Sequence, residues 1–309
     1  MPDFTEGPPH KRARHTQENG HSNSMPLPPL SLSILGVEPL DEFIKEIADF
    51  IHHMITVKAA DAPPGAAIEV EAKIGLLKEK ERGGQRLHLP LLVETILQPD
   101  SVECRFESNM TVHQHKHFNG LLNKLKVSSS QPGYASSSPM DYNHLYLVDS
   151  FYSDNASRDK IRVTRDEKSG QVVETIRKVR LGDLNIYSPK RAADWRVSVN
   201  LEIPVSMPTG QALYSRRKDR MSYSHEEFTI DLTQVNSSSG GGGGGGGGSE
   251  ILHELEIEIT RPELLAYTAA RRGDPNVSEH ERSAFDELIR AFVNNARILV
   301  RNAMNEGWH

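Results

Sequence analysis

Two segments of this chain place carboxylates at every second residue. Glu69-Val70-Glu71-Ala72-Lys73 puts Glu69, Glu71 and Lys73 on one side of an extended backbone, and Glu254-Leu255-Glu256-Ile257-Glu258 does the same with three glutamates. Like charges so spaced suppress one another's ionisation, and a bound cation relieves them. Carboxylate oxygens are hard ligands, which select Mg2+ or Mn2+ over zinc. Cationic residues recur with the same period elsewhere. Arg216, Lys218 and Arg220 share a face, as do Lys160 and Arg162 before a turn at Asp166–Gly170, and Glu174, Lys178 and Arg180 after it. Acidic strands facing basic ones suit a metal that bridges to phosphate.

The elements that must position these residues alternate with period two. Ile68, Val70, Ala72 and Ile74 oppose the charged face of the first acidic run, and Ile251, Leu255, Ile257 and Ile259 that of the second. Trp195, Val197, Val199 and Leu201 oppose Arg196, Ser198, Asn200 and Glu202; Phe228, Ile230 and Leu232 oppose Thr229, Asp231 and Thr233. A half-exposed strand with one face in water explains any one of these, but not the set. The economical arrangement is an α+β fold: a closed, eight-stranded antiparallel β-barrel with a polar interior, its apolar exterior packed against amphipathic helices. Helical spacing is present over 39–58 (Leu40, Phe43, Ile44, Ile47, Phe50, Ile51, Met54, Ile55) and from Thr111 to Lys126. A short helix follows Thr260, with Pro262 and Glu263 in its first turn, and a long one runs from a Ser278/Glu281 capping box through Ala303.

Composition bounds the rest. Charged residues make up 25% of the 309 and the net charge is −6, so bulk coating of nucleic acid is excluded and any such chemistry is local. The single cysteine, Cys104, excludes an intramolecular disulfide framework and a cysteine-rich zinc site, and reads as a packing residue in a reducing compartment. No stretch approaches the roughly 20 apolar residues that span a membrane, and no signal-peptide pattern opens the chain, so a soluble intracellular protein with no membrane partner is expected. Residues 1–30 read as a disordered tail. Within it, Lys11-Arg12-Ala13-Arg14 is either a nuclear-import signal or an ordinary basic patch. Flexible loops are expected at 128–140 and 237–249; the nine glycines in the second precede no Gly-Lys-Ser/Thr and do not form a phosphate loop. His113, His115 and His117 read as a polar helix surface rather than a metal cluster, because only His113 and His117 share a helical face. Trp195 falls on the outward face of its strand and reads as core rather than as a base-stacking platform.

Taken in order, several motifs resemble one family. They are the Glu-x-Glu-x-Lys strand at Glu69, Arg162 in Ile-Arg-Val-Thr-Arg, Glu202 in Ser-Val-Asn-Leu-Glu-Ile-Pro, Lys218-x-Arg220, Asp231 with Thr233, and the Glu-x-Glu-x-Glu strand ending at Glu258. Together they resemble the fungal-type messenger-RNA 5′-triphosphatases, the capping-enzyme beta subunits of the triphosphate tunnel metalloenzyme superfamily. The resemblance runs from about Leu40 to Met304. A lone Glu-x-Glu-x-Lys has little specificity; the ordered set has much.

The resemblance implies metal-dependent hydrolysis of the γ-phosphate from the 5′-triphosphate end of nascent mRNA, the first step of capping, in a nuclear protein. It implies one catalytic domain over 31–309, with Glu69, Glu71 and Glu258 as metal ligands. Glu202 and Glu256 would orient or deprotonate the attacking water, and Arg162, Lys178, Lys218 and Arg220 would grip phosphate oxygens. Lys73, Asp231, Thr233 and Glu254 would support them. The implied partners are 5′-triphosphate RNA, an mRNA guanylyltransferase or the RNA polymerase II C-terminal tail, and a second copy in a homodimer. Thr229 departs from the pattern, standing where the best-known yeast member is expected to carry a basic residue. Trp195 and Trp308 lie apart from the tryptophan-containing segment with which that member docks its guanylyltransferase. Two rivals remain: a hydrolase of tripolyphosphate or thiamine triphosphate, which would share the Glu-x-Glu-x-Lys strand, and a non-catalytic barrel, which would lack the acidic residues. The late acidic strand and the flanking helices favour the RNA branch.

Overall fold

The computed structural model describes residues 29–36, 38–39, 41–80, 84–134, 138–154, 159–238, 250–306 and 308. The basic tetrapeptide at Lys11, Leu40 and the glycine run lie outside the described residues. Among the described residues ten strands occur in chain order: β1 (Ala67–Glu79), β2 (Thr95–Leu97), β3 (Cys104–Glu107), β4 (Asp141–Ser153), β5 (Lys160–Asp166), β6 (Val172–Tyr187), β7 (Asp194–Pro204), β8 (Tyr214–His225), β9 (Phe228–Ser238) and β10 (Glu250–Ile259). Eight of them pair antiparallel in the order β1, β7, β6, β5, β4, β8, β9, β10, and β10 returns to β1. The barrel expected from alternation is therefore closed. β3 pairs with the far end of β1, and β2 with β6.

Closure depends on local chemistry. The β5–β6 hairpin turns where the Asp166 carboxylate accepts the backbone N–H and hydroxyl of Ser169, and Gly170 takes a φ of 70°, which glycine adopts without strain. β6 bulges between Arg180 and Gly182. A Cβ at Gly182 would run into Met54 and Phe50, so the missing side chain lets the first helix lie against the strand.

The helices cover the apolar exterior. α1 (Glu42–His53), capped by Asp41, ends in a π-helical turn at Met54–Lys58. α3 (Pro262–Arg271) and α4 (Glu279–Arg301) complete this layer, and the predicted Ser278/Glu281 capping box is formed. Ile47, Ile51, Phe285 and Phe292 pack with Val70, Ala72, Ile74, Val197, Val199 and Ile257 in one fully buried cluster. Each Val, Ile or Phe side chain so removed from water stabilises the fold by about 1.5–3 kcal/mol. Trp195 is in this core, as its alternation predicts, with its indole N–H donating to Glu94. α2 (Val112–Ser129) lies over β9 and β10 and buries Phe118 and Leu122. It runs beyond Lys126 into the segment expected as a loop, and the Ser129 hydroxyl bonds the Lys126 carbonyl.

Of the three histidines of α2, His113 is exposed, as a polar surface requires, and the other two are half-buried. His115 packs its ring 4.7 Å from that of His253, and His117 bonds the Asn302 carbonyl, so two of them serve packing. Cys104 packs beside Leu77, as a packing residue would. Among the described residues no helix is long and apolar enough to cross a membrane.

Candidate active site

The strand register brings the acidic runs together. Glu71 lies directly opposite Glu258, and Lys73 opposite Glu256, where β1 meets β10. On the other flank of β1, Glu69 lies opposite Asn200, and Lys178 of β6 lies opposite Glu202 of β7. All these side chains occupy the inner face.

They join in a circuit that passes through every strand of the barrel. Lys73 reaches Glu256 at 3.0 Å and Glu71 at 3.7 Å. Arg220 of β8 donates to Glu256 at 3.1 Å, holds Asp231 of β9 at 2.6 Å, and donates from Nε to the Thr233 hydroxyl at 3.1 Å. Lys218 holds Asp149 of β4 at 2.5 Å, and Asp149 accepts the hydroxyl of Thr164 of β5 at 2.8 Å. Arg162 of β5 bridges Glu174 of β6 at 2.7 Å and Glu202 of β7 at 3.3 Å. Lys178 pairs with Glu69 and stands 3.9 Å from Glu71 and 4.0 Å from Glu202, returning the circuit to β1.

Charge is unevenly compensated around this ring. Burial alone would raise the Glu256 carboxyl, but Lys73 and Arg220 outweigh it and hold it well below the usual range. Glu258 is the opposite case. Burial, reinforced by Glu69, Glu256, Glu202 and Glu71, pushes its carboxyl up to about 9, and among the described residues it has no cation partner. Glu202 is raised to about 7 by burial and by Glu69, against the pull of Arg162 and Lys178. Glu71 is raised by burial despite Lys73 and Lys178. Burial lowers Lys218 even beside Asp149, whereas Arg162 and Lys178 overcome burial through their glutamates.

The corner formed by Glu69, Glu71 and Glu258 thus fits a hard divalent cation. Its donors are all carboxylate oxygens, and among the described residues Glu258 has no cation partner to offset its neighbours' like charge. Among the described residues no three His, Cys, Asp or Glu side chains already converge as a ligand set; Glu69 is turned onto Lys178 and accepts from the Asn200 amide at 2.8 Å. Several buried tunnel atoms, Asn200 Oδ1, Asp231 Oδ1, Arg162 Nε and Arg216 Nε among them, have no hydrogen-bond partner among the described residues. Groups of this kind are costly in a closed interior and suit one that receives a polar guest.

The strand residues given a metal, water or phosphate role by the sequence stand on the inner face. Glu254 lies at its edge, accepting from Ser108 at 3.0 Å, and Thr229 faces Glu258 across β9 and β10 while bonding Thr260 at 3.0 Å. Sequence reasoning missed Asp149 and Thr164, and noted Glu174 and Asn200 only as residues on polar faces. β4 hides Asp149 because Leu145, Leu147 and Phe151 share its face and erase the alternation.

Comparisons with known proteins agree with this geometry. The family described as mRNA capping enzyme, beta chain, matches residues 37–305. The mRNA-capping enzyme subunit beta of Schizosaccharomyces pombe is 34% identical over 92% of this chain and 89% of its own length. The solved structure of S. pombe Pct1 RNA triphosphatase is similar with a TM-score of 0.77 and 33% identity, covering 90% of this chain and all of that one; a second structure holds Pct1 with the Spt5 CTD, with the same TM-score of 0.77. With a barrel whose two acidic strands meet at a closing seam and a family match from residue 37 to residue 305, this chain belongs to the mRNA capping enzyme beta-chain family.

Proposed function

We infer that this chain is a hydrolase that removes the γ-phosphate from the 5′-triphosphate end of nascent mRNA, leaving the diphosphate end that capping requires. The observation that carries the reading is the closed circuit of buried cations with an uncompensated carboxylate corner at Glu258. Such a site accepts a guest that is itself a cation joined to a polyanion.

Phosphoryl transfer asks a protein chiefly to position and to stabilise charge. Glu69, Glu71 and Glu258 would hold Mg2+ or Mn2+, which when bound polarises the terminal phosphate. Arg162, Lys178, Lys218 and Arg220 bind the phosphate oxygens, exchanging part of their present carboxylate contacts for them. Glu202, whose carboxyl is raised to about 7, orients water and takes its proton near neutral pH. Glu256 serves the same water or, ionised, keeps Lys73 and Arg220 aimed inward. Asp231, Thr233 and Glu254 brace these cations. Residues 31–309 act as one catalytic domain.

The activity belongs with nascent transcripts, hence in the nucleus. Pct1 has been solved with the Spt5 CTD, and docking on a tail of the transcription machinery, or on a guanylyltransferase, is the corresponding proposal here. A homodimer is the proposed assembly. The test is γ-phosphate release from triphosphate-ended RNA with Mg2+ or Mn2+. Turnover is expected for the native chain, and Glu71→Ala should lower it by about 10²–10³ or more with the fold retained. Activity surviving that change would overturn the metal assignment, and a many-fold preference for tripolyphosphate over RNA would overturn the substrate.

A further inference from the structure

Beyond the charge circuit the inner face continues to the mouth where β4 ends and β5 and β8 begin. Its chemistry changes there. Phe151 of β4 lies directly across from Arg162 on β5 and from Tyr214 on β8. The Phe151 and Tyr214 rings stack with centres 4.6 Å apart and planes 16° from parallel. Lys160 stands 4.7 Å above the Tyr214 ring and donates to its hydroxyl at 3.4 Å. The Arg216 guanidinium lies 5.4 and 5.6 Å from the two ring centres. Tyr214 and Arg216 continue the row of Lys218 and Arg220, and Lys160 that of Arg162, so all four side chains share the tunnel face.

Two observations mark this cluster as built to bind. The cations of the circuit each have a carboxylate, whereas Lys160 and Arg216 have none among the described residues, and Arg216 Nε is buried without a partner. The rings, for their part, belong to neither hydrophobic cluster of the protein and carry cations on their faces. A cation rests on a ring when no anion is in reach, and a phosphate displaces the ring as its partner. The ring face so released is a surface on which a nucleobase stacks.

We propose that Phe151, Tyr214, Lys160 and Arg216 cradle the first nucleoside of the RNA and the phosphodiester that follows it. The proposal rests on the triphosphatase reading above and supplies what selects RNA within it. Phe151 is two residues from Asp149 in the circuit, about 6.6 Å along the strand. A substrate whose terminal phosphate sits in the circuit therefore presents its nucleoside at this mouth. Tripolyphosphate has neither a base to stack nor a diester to hold.

The test uses the full chain with saturating Mg2+ or Mn2+ and compares kcat/KM on a triphosphate-ended RNA oligonucleotide with kcat/KM on tripolyphosphate. The ratio of the two should fall about tenfold or more in Phe151→Ala/Tyr214→Ala, given the energy of base–aromatic stacking, and comparably in Lys160→Ala/Arg216→Ala. Tyr214→Phe keeps the ring and should keep most of the ratio. A ratio unchanged in both double variants overturns the cradle, as do equal losses on both substrates, which mean that the rings only brace the mouth. A native chain inert on RNA refutes the underlying function instead, and is seen before any variant is made.

Discussion

On β1, Val70, Ala72 and Ile74 are sealed beneath α3 and α4, while their neighbours Glu69, Glu71 and Lys73 stand in the charged circuit. The two faces of one strand follow different rules. Outside, burial is non-directional and each apolar side chain adds stability. Inside, each charge is costly to bury and is tolerated only because a partner from another strand meets it. Glu258 shows the limit, a carboxylate that the protein alone leaves uncompensated. Stability and chemistry are thus interleaved residue by residue, and the two faces should fail in different ways.

The largest expected effect on stability is on the outer face. Phe292→Ala in α4 empties a fully buried site and should destabilise the fold by about 3–5 kcal/mol in urea denaturation. The molecules that remain folded should keep their metal affinity; a parallel loss of affinity would show that the faces are not separable. A smaller effect probes the inner face through pH. Glu258 ionises at its ordinary value when unfolded but only near 9 when folded, so the folded state holds the extra proton between those values. Metal-free stability should therefore fall as pH rises through that window. A drop in Tm between pH 6 and 9 is expected with a chelator present. Saturating Mg2+ should flatten it, and a Tm that climbs with pH would contradict the acidic corner. The smallest effect removes a helix cap: Ser278→Ala should cost about 1 kcal/mol and leave the kinetic constants where they were.

The same contrast decided what was legible beforehand. Where one face was mostly apolar and the other mostly polar, as on β1, β7, β9 and β10, the alternation revealed both the barrel and the residues inside it. β4 carries Leu145, Leu147 and Phe151 beside Asp149, so no period emerges from its sequence and the Lys218 partner stayed hidden. Pairings across strands were beyond reach for another reason. Glu174 was visible as a polar residue, but only the β5–β6 register brings it to Arg162. The inward turn of Phe151 and Tyr214 likewise depends on how three strands end at one mouth.

The seam between β1 and β10 has a temporal consequence. It unites the first and last strands of the barrel, so Glu71 and Glu258 become neighbours only after β10 has left the ribosome. Contacts of such sequence separation form late, since a long loop must close first. A nascent or C-terminally clipped molecule holds one half of the acidic cluster without the other. Until β10 pairs with β1, the corner proposed to hold the metal is therefore incomplete.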